Sequence, residues 1–159
     1  VNRTRACAHC QALRSVVEPQ LGLMLPIVGV SVADSLESYL SPGDEVLDVQ
    51  CDDCGLRGPT RFVPSIETWP PILMISLIRF DMTGSKIVSD VEINSSLDLP
   101  EIYSLVGVVH HLGDSVGEGH YVTDFIVGDV WYHGDDETVS QQDPTLTGNT
   151  SYVLIYQMM

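Results

Sequence analysis

The four cysteines of this chain form two Cys-x-x-Cys pairs, Cys7 with Cys10 and Cys51 with Cys54. Two such pairs supply four thiolates, which can enclose a tetrahedral zinc ion with no open coordination position, as in a structural site. Because 40 residues separate Cys10 from Cys51, an ion bound by both pairs would join distant parts of the chain. The spacing therefore predicts a zinc site that is closed by two separate segments.

Two other uses of these cysteines are open on the residues alone. Disulfides need an oxidising compartment, which no other feature supports, and a redox site needs only one Cys-x-x-Cys pair at a helix start. We therefore favour one structural zinc ion bound by Cys7, Cys10, Cys51 and Cys54. His9 lies between two of these ligands and is predicted to be solvated, with replacement of a cysteine ligand as the alternative.

The composition is that of a folded, acidic protein. With 159 residues, of which 44% are apolar and 18% charged, the chain is long enough for one domain with a core. Seven Lys and Arg stand against 22 Asp and Glu, which gives a net charge of −15, and no Lys or Arg follows Lys86. Nucleic acid and anionic membranes are therefore poor partners, and a basic protein or peptide is a better one.

The expected location is the cytosol or the nucleus. No apolar run reaches 18 residues, and the first residues lack the charged and apolar regions of a signal peptide. Glycosylation triplets at Asn2, Asn94 and Asn149 are the only hint of secretion, and such triplets recur often by chance.

Short strands and one helix are predicted between the two cysteine pairs. Leu13 to Ile27 contains short apolar runs that two prolines interrupt, which is typical of strands. Ser31 and Asp34 resemble a capping box, and the helix that they begin is predicted to end at Pro42-Gly43. The apolar positions on one face of this helix are Val32, Leu36, Tyr39 and Leu40.

Three longer segments beyond the second cysteine pair are predicted to be strands. The first is Arg61 to Ile66, and the second, Ile72 to Ile78, has one polar interruption and is predicted to be buried on both faces. The third is Tyr103 to His111. Its adjacent histidines, His110 and His111, would point to opposite faces and could not easily share a metal ion, so we expect one to be buried and one exposed.

A β-hairpin is predicted around Gly128-Asp129, a pair that suits a two-residue turn. Its first arm, His120 to Val127, is rich in β-branched and aromatic residues. With that turn His120 faces Glu137, and Asp135 lies two places away on the same face because side chains alternate along a strand. Such a diagonal pair is about 7–8 Å apart at the backbone, so an imidazole and a carboxylate can reach each other.

A histidine that is oriented by a carboxylate is the base half of a nucleophilic triad. On the residues alone, a solvated surface pair is the open alternative. The glycines before His120 leave the backbone open to close approach by a substrate chain, and Trp131 offers an apolar anchor. Asp136 has the opposite parity and is predicted to point away from His120, while His133 is predicted to be solvated, with a contact to substrate as the alternative.

The residues of this hairpin resemble a known family. Gly119-His120-Tyr121, a later tryptophan, Asp135-Asp136 with Val139, and a closing strand from Ser151 to Tyr156 are similar to the histidine box of the ubiquitin-specific proteases, which are papain-like cysteine deubiquitinases. By that resemblance His120 is the general base and Asp135 its orienting acid. Gly134 departs from the family, which usually has an aromatic residue just before the aspartate.

The resemblance covers most of the chain and implies an α+β fold of mostly antiparallel strands, the palm half of a papain-like cysteine protease with a zinc-ribbon fingers subdomain. The fingers would comprise about residues 1–15 and 44–64, and the palm about residues 16–43 and 65–159, which together form part of a catalytic domain. Asp81 to Ser96 and Gly113 to Gly119 would be two loops over the ubiquitin tail, although an ordinary hairpin connection is the alternative for the first.

Two functions from different classes follow. The first is part of a cysteine deubiquitinase that binds ubiquitin or a ubiquitinated protein and hydrolyses the bond after the C-terminal glycine of ubiquitin. This chain would supply the base and the orienting acid, an N-terminal half of the catalytic domain would supply the nucleophile, and the chain alone would be inactive. The second is a non-catalytic ubiquitin-binding or zinc-stabilised scaffold module, and a scaffold unrelated to ubiquitin is a third. The presence of both His120 and Asp135 favours the first.

The resemblance also implies a receptor for the extended ubiquitin tail, which carries two arginines and ends in Gly-Gly. Gly119 and Tyr121 flank His120, where a Gly-Gly segment could pass beneath an aromatic ring. Glu118, Asp114 and the net charge of −15 would attract the arginines over distance. The alternative is that this acidity only keeps the protein soluble.

Overall fold

The computed structural model describes residues 1–42, 47–60, 62–115 and 117–159. Gly43 of the predicted Pro42-Gly43 helix stop, Arg61 at the predicted strand start and Val116 in the glycine-rich run therefore lie outside the described residues. The chain divides into two compact units, of which the first comprises residues 1–20 and 37–69 and the second residues 21–36 and 70–159. Within the described ranges, no helix is both long enough and apolar enough to cross a membrane.

The secondary structure consists mainly of β-strands. In chain order the elements are β1 (Asn2–Ala6), β2 (Leu13–Val17), β3 (Leu23–Pro26), α1 (Val32–Leu40), β4 (Leu47–Gln50), β5 (Arg57–Thr60), β6 (Phe62–Ser65), β7 (Ile72–Ile78), β8 (Ser96–Asp98), β9 (Ile102–Ser115), β10 (Glu118–Val127), β11 (Val130–Asp135), β12 (Thr138–Gln141) and β13 (Ser151–Met158). The strands predicted from the apolar runs are present, and prolines follow or end β2 and β3 as expected.

Two small antiparallel sheets form the first unit. β1 lies between β2 and β6 in a three-stranded sheet, and β4 pairs with β5. Asn2 lies opposite Ser65 in the pairing of β1 with β6, so this sheet joins segments that are far apart in sequence.

The second unit is built on an eight-stranded sheet. Along the sheet the strand order is β12-β11-β10-β9-β13-β7-β3, with β8 beside β9. All of these pairs are antiparallel except β3 with β7. The prediction of an α+β chain with mostly antiparallel strands is therefore confirmed.

Helix α1 begins with the predicted capping box. Ser31 Oγ accepts a hydrogen bond from the Asp34 N–H at 3.1 Å, and Asp34 Oδ2 accepts one from the Ser31 N–H at 2.9 Å. These reciprocal bonds satisfy backbone donors that the first turn of a helix leaves without partners. Val32 and Leu36 are buried on the apolar face of the helix.

Strand β7 is buried on one face only, so the prediction of burial on both faces was wrong. Leu73, Ile75 and Leu77 are buried, whereas Ile72 is 50% exposed and Met74 37% exposed. An apolar run predicts that both faces of a strand are buried, whereas the described residues of this chain bury only one face of β7.

The expectation that one of the two adjacent histidines of β9 is exposed was also wrong. Both His110 and His111 are buried, because other side chains cover both faces of β9 at this point. His110 points to one face of the sheet, where Asp124 lies, and His111 points to the other, where aromatic rings cover it.

Candidate functional site

The hairpin of β10 and β11 has the predicted register. Val127 lies opposite Val130, and Thr123 lies opposite Gly134, so Gly128 and Asp129 form a two-residue turn. Gly128 has φ of +61°, a left-handed conformation that glycine adopts without the steric cost of a side chain.

His120 and Asp135 are brought together as this register requires. The His120 Nε2–H group donates a hydrogen bond to Asp135 Oδ1 at 2.5 Å, and the two side chains are 44% and 50% exposed. This bond raises the pKa of His120 above its ordinary value, because the carboxylate stabilises the imidazolium. With Nε2 engaged, Nδ1 is the ring nitrogen that remains able to accept a proton.

Asp136 lies close to His120, so the prediction that parity turns it away was wrong. The His120 ring nitrogen and one carboxylate oxygen from each of Asp135 and Asp136 lie within 4.8 Å of one another. Asp136 lies in the turn between β11 and β12, where its φ is +49°, and the alternation of side chains applies only within a strand. Its negative charge also contributes to the raised pKa of His120.

The residues on either side of His120 lie against a group of aromatic rings. Tyr121 is 52% exposed, and its ring centroid is 4.9 Å from that of His111 and 6.2 Å from that of Tyr152. The His111 ring also packs edge-on against Phe80 at 5.4 Å. Gly119 lies so close to the His111 ring that a Cβ atom there would overlap Nε2, which explains the need for glycine before His120.

Lys86 is hydrogen-bonded to the end of β9, the strand that carries His111. Its Nζ donates hydrogen bonds to the carbonyl oxygens of His111 at 2.9 Å and of Gly113 at 2.8 Å. Glu118 and Asp114 lie nearby in sequence, at the start of β10 and near the end of β9, and both are exposed. Their predicted role in attracting a basic tail stays a prediction.

The four cysteines converge in the first unit. Cys7 Sγ lies 3.8 Å from Cys54 Sγ, Cys10 Sγ lies 3.7 Å from Cys51 Sγ, and all four sulfur atoms lie within 4.8 Å of one another without forming a disulfide. Tetrahedral zinc with bonds of about 2.3 Å to sulfur requires sulfur atoms about 3.8 Å apart. The cysteines are therefore positioned to bind one metal ion.

The backbone favours the thiolate form at Cys7, whereas burial and the neighbouring cysteines raise the pKa of Cys10 and of Cys54. The backbone N–H groups of Cys10 and His9 point at the Cys7 sulfur and lower the pKa of this thiol to about 6. His9 is exposed, and its Nε2 contacts the Arg57 carbonyl oxygen at 3.0 Å. His9 therefore does not join the cysteine cluster.

A buried carboxylate on β10 was missed by the sequence analysis. Asp124 accepts hydrogen bonds from His133 Nδ1 at 2.7 Å, from His110 Nε2 at 3.1 Å and from the Thr145 N–H at 2.8 Å. Burial by itself raises the pKa of a carboxyl group, but these donors lower the pKa of Asp124 below its ordinary value. His133 is therefore a partner of Asp124, and the prediction that it is only solvated was wrong.

Comparison with known sequences finds one family over nearly the whole chain. The family model described as ubiquitin carboxyl-terminal hydrolase matches residues 2–156. Human ubiquitin carboxyl-terminal hydrolase 17-like protein 6 is 30% identical over 167 residues, which cover 94% of this chain and 42% of that protein. Human ubiquitin carboxyl-terminal hydrolase 17 is likewise 30% identical over 94% of this chain and 31% of its own length. The chain thus spans less than half of these relatives.

Solved structures share the fold. A chain of the SAGA DUB module of Ubp8, Sgf11, Sus1 and Sgf73 bound to monoubiquitin superposes with a TM-score of 0.86 at 26% identity, covering 99% of this chain and 40% of that one. The same module bound to ubiquitin aldehyde gives a TM-score of 0.83 at 24% identity over 99% of this chain and 40% of that one. These similarities confirm the predicted fold class, including the palm with a four-cysteine ribbon.

Proposed function

Since the chain belongs to the ubiquitin carboxyl-terminal hydrolase family, we propose that it is the part of a cysteine deubiquitinase that supplies the general base and its orienting acid. The bond to be cleaved is the isopeptide or peptide bond after the C-terminal glycine of ubiquitin. The observation that carries this proposal is the hydrogen bond from His120 Nε2 to Asp135 Oδ1, which leaves Nδ1 to receive a proton. The neighbouring structure bound to monoubiquitin supports ubiquitin as the substrate.

In the proposed mechanism His120 Nδ1 accepts the proton of a cysteine thiol, and the thiolate attacks the carbonyl carbon of the terminal glycine. The imidazolium returns this proton to the leaving amine as the thioester forms. Water then gives a proton to Nδ1 as its oxygen attacks the thioester carbonyl carbon. The cysteine sulfur leaves and takes this proton back from the imidazolium, which restores the thiol, and the released ubiquitin acid loses its remaining proton to solvent. Asp135 holds the ring and stabilises the imidazolium, and the charge of Asp136 adds to this stabilisation.

The nucleophile is proposed to lie on a segment outside this sequence. All four cysteines of the chain belong to the metal cluster in the first unit, so none is free to serve as nucleophile. The eight-stranded sheet has an exposed apolar face on which that segment could pack. On this face Met24 of β3 and Ile72 and Met74 of β7 are 64%, 50% and 37% exposed. This chain covers only 42% of the relative ubiquitin carboxyl-terminal hydrolase 17-like protein 6. A segment that corresponds to the rest of that relative could cover the exposed face.

The metal ion is proposed to be structural zinc. Four thiolates in a closed tetrahedral arrangement leave no position for a reacting water molecule. The ion would therefore contribute folding free energy to the first unit and take no part in the hydrolysis.

The tail of ubiquitin is proposed to pass beside Gly119 and Tyr121. The exposed Tyr121 ring is held by the His111 and Tyr152 rings, and the backbone of Gly119 is exposed, so that a Gly-Gly segment can approach it. Glu118 and Asp114 are exposed and would attract the arginines of the tail.

Turnover of a fluorogenic ubiquitin C-terminal substrate tests the proposal in the full-length protein that contains this chain. We expect His120→Ala to abolish turnover and Asp135→Ala to lower it by about 10²- to 10⁴-fold, the range of general acid–base catalysis. Asp136→Ala should lower turnover less, because Asp136 acts on His120 only through its charge. This chain alone should be inactive. Turnover by the chain alone, or a fully active His120→Ala protein, would refute the proposal.

A further inference from the structure

Asp124 is a buried carboxylate that the proposed mechanism does not use. Its side chain is 1% exposed, yet it is one of the chain's 22 acidic residues and carries a negative charge. Burying a carboxylate is costly unless donors surround it. The fold therefore provides three donors around Asp124, on β9, on β11 and on the segment after β12.

The three donors tie three segments to one point of β10. His133 Nδ1–H donates to Asp124 Oδ1 at 2.7 Å, whereas His110 Nε2–H and the Thr145 N–H donate to Oδ2 at 3.1 and 2.8 Å. Because the Asp124 carboxylate only accepts hydrogen bonds, it fixes the His110 tautomer that carries the proton on Nε2. The Thr150 hydroxyl then donates to His110 Nδ1 at 3.1 Å.

The hydrogen bond between Asp124 and His133 lies next to Asp135, the proposed orienting acid. His133 is directly opposite Asp124 in the register of β10 and β11, and Gly134 is the last residue of β11 that is paired with β10 before Asp135. Gly134 has no side chain with which to pack this strand end. The outer neighbour of β11 is β12, four exposed residues at the edge of the sheet. Among the described residues, the Asp124–His133 bond is thus the side-chain hydrogen bond between β10 and β11 that lies nearest to the His120–Asp135 pair itself.

We propose that Asp124 is a positioning residue for the His120–Asp135 pair. By bonding His133 it holds the end of β11 against β10, so that the Asp135 carboxylate stays within hydrogen-bonding reach of His120. The inference rests on the proposed roles of His120 and Asp135. It assigns no contact between Asp124 and substrate.

His133 offers a matched pair of variants, because its side chain is 26% exposed and that of Asp124 only 1%, so that replacing His133 disturbs the packing less. His133→Asn keeps an N–H donor close to the position of Nδ1, whereas His133→Leu removes the donor at similar volume. Asp124→Asn keeps the shape of the buried side chain and removes its charge. His110→Gln keeps a donor close to the position of Nε2 and tests the other contact of the carboxylate.

The measurement is the titration midpoint of His120, followed by NMR of ¹³C-labelled histidine in the full-length protein and assigned with His120→Gln. Asp135 and Asp136 are the charged groups that act on the His120 ring. We expect Asp135→Asn to lower the midpoint towards the ordinary histidine value of about 6.5, with the charge of Asp136 still present. His133→Leu and Asp124→Asn should shift it in the same direction, and His133→Asn should restore the wild-type midpoint. In the activity assay, His133→Leu should lower kcat by about 10- to 100-fold with little change in KM.

Wild-type titration of His120 in both His133→Leu and Asp124→Asn would overturn the positioning role. If Asp124→Asn fails to fold, the two His133 variants decide the question, because a midpoint that is the same in Leu and Asn variants also overturns it. The midpoint does not depend on turnover. An inactive wild-type protein with a lowered midpoint in His133→Leu would therefore refute the proposed function and support the positioning of Asp135 by Asp124.

Discussion

The hydrogen bond between His120 and Asp135 couples the stability of the protein to pH. The bond raises the pKa of His120 in the folded state above its ordinary value. The protonated ring is therefore favoured by folding, and the stabilisation is fully present below the unfolded pKa of about 6.5. It is lost as the pH rises through the higher pKa of the folded state.

Comparison of the wild type with Asp135→Asn tests this coupling. The difference in the free energy of unfolding between the two proteins, measured in urea from pH 5 to pH 9, should be largest at the acidic end and decline as His120 loses its proton. Because the pair is about half exposed, solvent screens it and the difference should be small. A difference that does not change with pH would show that Asp135 does not set the protonation of His120.

His120 and Asp135 could be predicted from the sequence because one tight turn determines which residues of a hairpin are neighbours. The same register places His133 directly opposite Asp124, so this buried pair also follows from the sequence. Asp136 could not be placed in this way, because the second turn after Asp135 ends the alternation. Side-chain parity is reliable only as far as the strand is known to extend.

Arg79 follows the last residue of β7 in the eight-stranded sheet. It is hydrogen-bonded to two other segments, one at Ile87 and Ser89 and one at Gly148 and Ser151. Its guanidinium donates to the carbonyl oxygens of Ser151 and Gly148 at 2.8 and 3.2 Å and to those of Ile87 and Ser89 at 3.3 and 2.6 Å. The residue is 1% exposed. A planar group with five N–H donors suits a site in which backbone carbonyls converge from several directions.

Replacement of Arg79 by methionine should destabilise the protein by more than about 3 kcal/mol, because several buried carbonyls lose their donor and each unsatisfied group costs about 1–3 kcal/mol. Arg3→Met is the control, since Arg3 forms an exposed ion pair with Glu18 that is worth about 0–1 kcal/mol. Thermal and urea denaturation measure both variants. Equal, small losses for the two arginines would contradict this role of the Arg79 hydrogen bonds.

Local signals predicted most of the elements, and burial was the least predictable property. The capping box of α1 and the two-residue turn of the hairpin depend on neighbouring residues and were found at the predicted positions. The apolar run of β7 reflects everything that the strand contacts in the whole protein, so its exposed face could not be deduced from this segment alone. The burial of His111 likewise depends on rings from distant segments, Phe80 and Tyr152.

A metal ion in the first unit would link residues that are far apart in the chain, and its removal should unfold that unit first. We expect one zinc ion per chain by elemental analysis, and a strong chelator should lower stability because the binding free energy contributes to folding. Cys51→Ser, at the buried ligand, should have the same effect. Hydrogen exchange should then increase in residues 1–20 and in the described parts of 37–69, with the second unit still protected. Protein without metal, or with its cysteines oxidised to disulfides, would refute this prediction.

The two compact units alternate along the chain, and this order has a consequence for biosynthesis. β1 must wait for β6, about 60 residues later, which at about 5–20 residues per second takes roughly 3–12 s. β3 likewise waits for β7, because residues 37–69 of the other unit are made in between. The nascent chain therefore carries unpaired strand edges of both units at once, since β2 can pair with only one edge of β1. No single cut in the gene separates one unit from the other. Ribosome-associated chaperones should engage this chain until β7 has emerged.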